Sequence, residues 1–184
     1  MEIDLRLTSQ LSEPDTQEVH ALAVQVWGPP EEARNRSPSA RLTFTDIPTC
    51  VLRVCEEGKL VSFVGIVERS ILIDGQSARA AGISGMMTHP RFRRRGYGSA
   101  AMRRATDFIL EDLRAELALL LSSEMAVPFY MSLGWQVAAC PVLCEQPSGT
   151  LNLRAAFPHE PPMIYLTSGG QAPAKAIDLC GLPW

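Results

Sequence analysis

Three consecutive arginines run into a glycine-bearing segment, Arg93-Arg94-Arg95-Gly96-Tyr97-Gly98-Ser99. The segment follows an apolar stretch ending at Thr88-His89-Pro90 and opens a helical pattern. A turn between a strand and a helix N-terminus gathers backbone N–H groups that have no intrahelical partner, and the helix dipole adds partial positive charge. Gly96 and Gly98 lack Cβ atoms, so the turn can pass close to a phosphate. Arginines beside it bring forked donors that suit phosphate oxygens. The chemistry on offer is binding of a phosphate or pyrophosphate. On spacing alone a basic surface turn fits as well, because a lone Gly-x-Gly is a weak pattern.

The charge distribution narrows the ligand. Six arginines (91, 93, 94, 95, 103 and 104) and no acids lie between His89 and Arg104. The rest of the chain holds 11 basic residues against all 20 acids. One cationic patch on an acidic body suits a small polyanion better than a long nucleic acid, which needs a broad basic face and an aromatic ladder. The acidic remainder does not repel a cationic substrate.

The elements that must position this segment alternate, without repeats. Ile3 to Leu7 alternates like an edge strand, and Glu18 to Trp27 has helical spacing stopped by Gly28-Pro29-Pro30. Residues 31–39 form a polar loop. Cys50–Cys55, Leu60–Ile73 and Ser77–Thr88 predict three strands joined by hairpin turns at Glu56-Glu57-Gly58-Lys59 and Asp74-Gly75-Gln76. A helix over 97–114 turns Ala101, Met102, Ala105, Ile109 and Leu113 toward a core. Leu117–Leu121 is a strand buried on both faces. Ser122 or Ser123 caps a short helix running to Leu133, with Gly134 ending it. Trp135–Ala139 and Met163–Thr167 are the final strands, separated by a Pro-rich connection from Pro141 to Pro162, and the tail from Gly169 is irregular.

At 184 residues one α/β (α+β) domain over 1–184 is expected, with 141–184 as an irregular, substrate-side C-terminal extension. No apolar run approaches the roughly 20 residues that cross a bilayer, so no membrane partner is expected. Acids at Glu2 and Asp4, where a secretory signal is basic, point to the cytoplasm. Five cysteines, at 50, 55, 140, 144 and 180, lack the spacing of a disulfide scaffold or a zinc site, so no metal is expected.

The element order resembles the GCN5-related N-acetyltransferase (GNAT) superfamily. That superfamily carries Arg/Gln-x-x-Gly-x-Gly/Ala before its central helix, and Arg93 to Gly98 matches it. Met86-Met87-Thr88-His89-Pro90-Arg91-Phe92 looks like its strand and proline lead-in. About 35 residues on, Pro128-Phe129-Tyr130-Met131-Ser132-Leu133-Gly134-Trp135 resembles its Pro-Phe-Tyr…Gly-Phe signature. The resemblance implies a mixed, mostly antiparallel central sheet with splayed strands, flanked by helices. It implies acetyl-CoA as cosubstrate, its pyrophosphate on Arg93, Arg94, Arg95, Gly96, Tyr97, Gly98 and Ser99 and its pantetheine arm along Met86, Met87 and Thr88. Among catalytic positions it implies the Met86 amide as oxyanion donor and Tyr130 as general acid. Ser84 stands where many relatives have a glutamate base. The base is therefore undetermined, with Glu68, Glu124, His89, His159 and Glu160 as candidates.

Within the superfamily the chain's end looks most like the aminoglycoside 2'-N-acetyltransferases, on Phe129 to Trp135, the Pro-rich stretch and the closing Ile177-Asp178-Leu179-Cys180-Gly181-Leu182-Pro183-Trp184. The resemblance implies a folded-back tail binding an amino sugar, with the Trp184 ring as a stacking platform and its carboxylate pairing an ammonium. Glu31, Asp46, Ser122, Glu124, His159, Glu160 and Asp178 complete the expected acceptor set. Leu182-Pro183 and His159-Glu160 replace acids expected in that family, which favours an acceptor of low charge, kasugamycin-type over gentamicin-type. Two other readings stand beside it: an acetyltransferase for another small or peptide amine, and a non-catalytic acetyl-CoA-binding module. A homodimer is left open.

Overall fold

The computed structural model describes residues 1–33, 42–44, 47–167 and 170–184. In chain order the elements are β1 (Glu2–Leu7), α1 (Glu13–Trp27), α2 (Pro30–Ala33), β2 (Cys50–Glu56), β3 (Lys59–Ile73), β4 (Gln76–Thr88), α3 (Tyr97–Asp107), β5 (Leu117–Leu121), α4 (Val127–Met131), β6 (Gln136–Val137), β7 (Val142–Gln146), β8 (Gly149–Asn152), α5 (Leu153–Ala156), β9 (Pro162–Leu166) and β10 (Ile177–Asp178). The chain divides into two compact units, and β3 and β4 contribute residues to each.

In the first unit (1–41, 47–67 and 84–105) β1 pairs β2 and β2 pairs β3, both antiparallel. The β2–β3 hairpin is closed by two residues at positive φ, Glu57-Gly58, the turn geometry that matches strand twist; Asp74-Gly75, in the second unit, has the same pair of positive φ angles. α1 lays Leu22, with Val19, Ala23 and Val26, against Val51, Leu60, Phe63 and Met87. Each of the buried Leu22, Val51, Leu60, Phe63 and Met87 contributes about 1.5–3 kcal/mol. The helix begins five residues before the expected Glu18. Ser12 Oγ accepts from the Asp15 amide, the Asp15 carboxylate takes the Ser12 amide at 2.9 Å, and Pro14 sits in the first turn. α3 buries Ala101, Met102 and Ala105, as its spacing requires.

In the second unit (42–46, 68–83 and 106–184) β4 pairs β5 in parallel over Ala80–Gly82, and β5 pairs β9 antiparallel. β10 pairs β3 antiparallel and β7 parallel. The sheet is mixed and mostly antiparallel, as expected. The helix expected to reach Arg114 instead widens into a π-helical turn at Phe108–Asp112, capped by Leu113, and Arg114 follows at φ 52°.

The C-terminal region is more ordered than its composition indicated. The stretch read as a Pro-rich connection holds the β7–β8 hairpin, closed by Pro147-Ser148, and α5, capped by Asn152 Oδ1 on the Ala155 amide. The tail read as irregular holds β10. It is anchored by Asp74, whose carboxylate accepts the amides of Ala174, Lys175 and Ala176 at 2.6–3.0 Å. Those three bonds hold the Asp74 carboxyl below its usual range. Residues 31–33, read as loop, lie in α2. No helix among the described residues is long and apolar enough to cross a membrane.

Candidate functional site

The Ser84–Met86 stretch of β4 is shaped by two glycines. Gly85 has φ 62°, so the strand bulges there. Gly65 on β3 faces it, and a Cβ on Gly65 would stand 2.8 Å from the Ser84 carbonyl oxygen and 3.2 Å from Pro48. The two backbones can approach this closely only with glycine at 65. Beyond the bulge, the His89 amide donates to the Val61 carbonyl at 2.9 Å, and Ser62 Oγ donates to the Met87 carbonyl at 2.6 Å. Residues 87 and 89 therefore face β3. Strand alternation turns the N–H and C=O of Met86 and Thr88 to the opposite edge. Among the described residues the β4–β5 pairing ends at Gly82, so no strand claims that edge at Met86. The Met86 amide is thus available as an oxyanion donor and as a partner for an extended pantetheine arm.

The turn that follows leads into the N-terminus of α3. His89 Nδ1 accepts from the Arg91 amide at 3.1 Å, which makes His89 a cap rather than a base. Arg94 adopts φ 59° and Gly96 φ 87°. An arginine at positive φ is uncommon and carries strain of about 1 kcal/mol or more, which is found where a backbone path matters. The first helical bond of α3 runs from the Ala100 amide to the Gly96 carbonyl at 2.9 Å. The amides of Tyr97, Gly98 and Ser99 precede it and have no intrahelical acceptor, so they converge on the turn.

The side chains divide the work differently from the expectation that all would grip phosphate. Arg93 Nε donates to the Thr88 carbonyl at 3.3 Å. The Arg95 guanidinium lies over the rings of Phe92 and Tyr97, at 5.2 and 5.7 Å. Both brace the turn, and Arg94 is exposed toward solvent. Tyr97 is buried; burial, then its hydrogen bond to Glu56, raises its pKa. These features fit acetyl-CoA: backbone donors for pyrophosphate, a free strand edge for pantetheine.

Tyr130 lies on α4, 8% exposed, packed edge-on against Phe129 and Trp135. Burial pushes its phenol up to about 12. Gly134, φ 90°, ends the turn after α4, and a Cβ there would lie 3.0 Å from the Tyr165 ring.

The acceptor set is partly brought together and partly overturned. Glu124 and His159 meet, with His159 Nδ1 3.4 Å from Glu124 Oε2, both largely exposed, and Glu160 follows on the same turn. Ser122 is buried, and its Oγ donates to the Ser123 carbonyl at 2.9 Å, so it faces no ligand. Neither serine hydroxyl caps the following helix, which opens instead as a 3-10 turn at Glu124–Ala126. The Asp178 carboxylate accepts the Cys180 amide at 2.9 Å, a local turn contact. Glu68 is gripped by Arg79 through Nε and a terminal nitrogen at 2.9 and 2.7 Å, a cross-strand pair rather than a free base. Glu31 falls in α2, and Asp46 lies outside the described residues.

The largest correction concerns Trp184. It is 5% exposed, its indole lies on Gly82 where a Cβ would fall inside the ring, and Nε1 donates to the Leu119 carbonyl at 3.1 Å. The Arg69 guanidinium stacks 5.2 Å from the ring centroid and donates to the Leu182 carbonyl at 2.6 Å. The ring is a wedge in the second unit's core, so it offers no platform to a sugar.

Residues 8–138 match the family model described as acetyltransferase (GNAT) domain. The chain belongs to the GNAT family, a family of acetyl-CoA-dependent N-acetyltransferases. No curated protein sequence matches it significantly. Among solved structures the GNAT fold recurs in Escherichia coli ElaA (TM-score 0.61, 13% identity, 89% of this chain and 98% of that one). It recurs also in the E. coli GNAT-family N-acetyltransferase YhbS in complex with CoA (0.60, 12%, 98% and 91%). A GCN5-related N-acetyltransferase from Kribbella flavida is 22% identical at TM-score 0.54; 74% of this chain is covered, but the chain spans only 34% of that protein. These likenesses are of fold. Trp27, half-exposed against Gly85, is the residue near the strand bulge that sequence patterning passed over; its place at the end of an amphipathic helix marked it only as a helix boundary.

Proposed function

We propose that this domain transfers the acetyl group of acetyl-CoA to an amino group of a low-charge amino sugar of the aminoglycoside class, kasugamycin-type in preference to gentamicin-type. The observation that carries the transfer reading is the Gly85 bulge, which leaves the Met86 amide unclaimed one turn before the free amides of Tyr97, Gly98 and Ser99. In the proposed reaction the amine nitrogen attacks the thioester carbonyl. The Met86 N–H takes up the developing oxyanion charge, the C–S bond breaks, and the Tyr130 hydroxyl gives its proton to the departing thiolate. The amine's own proton leaves to water or to a carboxylate. Buried Tyr130 keeps its proton at neutral pH, so the proposed donor is in its protonated form.

The acceptor reading rests on how the described candidate acids are engaged. Glu124 and His159 form one exposed pair, whereas Glu68 and Asp178 are engaged within the protein. Few fixed anions suit an acceptor with few ammonium groups. Resistance to such an antibiotic would follow from N-acetylation. The test is an amine panel (kasugamycin, gentamicin, spermidine and a short peptide) with acetyl-CoA, read by CoA thiol release. Kasugamycin is expected to give the highest kcat/KM. Turnover confined to spermidine or the peptide ends the antibiotic reading, and CoA binding without any turnover leaves a binding module instead.

A further inference from the structure

The mouth of the bulge carries an aromatic side chain that no role has yet absorbed. Trp27 is the last residue of α1, held there by the Gly28 amide bond to the Val24 carbonyl at 2.8 Å. It is 39% exposed, whereas Trp135 and Trp184 are 2% and 5%. A Cβ on Gly85 would lie 3.7 Å from Trp27 Cη2 and 3.9 Å from Phe63. That is ordinary contact distance, so the missing side chain leaves a notch one methyl group wide between the indole edge and the β4 backbone. Gly85 is itself exposed, and Met86 is the next residue.

We propose that Trp27 is a specificity-determining wall of the acceptor site, selecting amines that present a ring C–H face rather than linear polyamines. The inference rests on the acetyl-transfer reading, in which the thioester lies at the Met86 amide. An acceptor reaching that point passes the notch. An indole face packs on the C–H face of a sugar over a broad area, whereas an isolated ammonium at an exposed ring gains only a weak attraction. The last turn of α1, Val24-Gln25-Val26-Trp27, carries no charge. A neutral anchor matters for the chemistry: a carboxylate beside the amine would favour its protonated, unreactive form, while an aromatic wall holds the body of the acceptor with a weaker pull on that proton. A linear polyamine has little ring face to offer and gains less.

The test pairs binding with kinetics. In CoA-saturated protein, iodide quenching of tryptophan emission reports mainly on Trp27, the exposed indole. Kasugamycin and gentamicin are expected to shield it, and spermidine is not. Trp27→Ala is expected to raise the KM for kasugamycin about tenfold, with Trp27→Phe restoring most of the loss. The KM for acetyl-CoA and the far-UV spectrum should be unchanged in both variants. Turnover of kasugamycin with no shielding, or with KM within twofold in Trp27→Ala, overturns the Trp27 assignment alone. Shielding by the ring amines without turnover upholds Trp27 as a ring-binding wall and sinks the transfer reading. Equal shielding by spermidine, or neither shielding nor turnover with any amine, overturns the inference.

Discussion

Gly82→Ala sets two effects against each other, and the structure decides the winner. Alanine is better than glycine in a strand interior by about 0.5–1 kcal/mol. At position 82, however, the new methyl would occupy the place of the Trp184 indole. The ring cannot stay, and its displacement gives up burial of a side chain now 5% exposed. It also leaves the Leu119 carbonyl without its Nε1–H partner and releases the stacked Arg69 guanidinium. Losing a buried tryptophan costs about 3–5 kcal/mol. The net expectation is a loss of about 3 kcal/mol, a fall in Tm of about 6–12 °C for a domain of this size, read by calorimetry. The decisive comparison is the same substitution in a Trp184→Ala background. There the methyl takes the place the indole has vacated, and Gly82→Ala should become neutral or gain about 0.5–1 kcal/mol. The cycle thus predicts a coupling energy of about 3 kcal/mol between the two positions. An equal cost in both backgrounds, or a cost below about 1 kcal/mol in the parent, refutes the wedge.

Tyr130→Phe should lower kcat at least about tenfold and leave the far-UV spectrum unchanged. Because burial raises this phenol to about 12, its stabilising effect is complete below the unfolded value near 10 and is lost only as pH rises through about 12; an alkaline limb near pH 9 that vanishes in Tyr130→Phe would contradict the assignment. Gly65→Ala must push the Ser84 carbonyl and Pro48 apart from β3, at about 1–3 kcal/mol, and should reduce kcat by displacing the Met86 amide; an unchanged kcat, measured below the variant's Tm, would detach the bulge from catalysis. Asp74 has a depressed folded pKa, so its contribution is present above the ordinary carboxylate range and fades as pH falls through the folded value. Asp74→Asn should therefore lower Tm at pH 6 and narrow the gap to the parent near pH 3; a constant gap would show that the three amide bonds do not depend on the carboxylate charge.

What could be read from residues alone was local. Asp74-Gly75 and Glu57-Gly58 announce their turns because two successive positive φ angles admit few residue types. The 93–99 turn was legible for the same reason, since its function rests on backbone amides that a strand–glycine–helix order places without help from distant contacts. The Ser12…Asp15 box was also present as a start signal, and helical periodicity that begins later in α1 obscured it. The β7–β8 hairpin and β10 were not legible. Two-residue β10 exists only because β3 and β7 flank it and Asp74 holds the amides before it; the β3 and Asp74 contacts join residues about 100 apart in the chain, and the β7 pairing joins residues 35 apart. Glu68 shows the same limit for a single side chain: a carboxylate on an alternating strand reads as a base candidate until Arg79 is found across the hairpin.

Trp184 and Trp27 differ in exposure because of the glycines beside them. Trp184 looked like a ligand platform because it stands among residues resembling an acceptor-binding tail, yet only a glycine on the neighbouring strand decides whether an indole can bury. Gly82 makes room, so Trp184 became core. Trp27 looked like the end of a helix, yet Gly85 both bends β4 beneath it and withholds the side chain that would have covered its edge. In each case the glycine, not the tryptophan, determines exposure. Stability should therefore track changes at 82 and 184, whereas acceptor KM should track changes at 27. A Trp184 variant that raised acceptor KM without lowering Tm would reverse that division of roles.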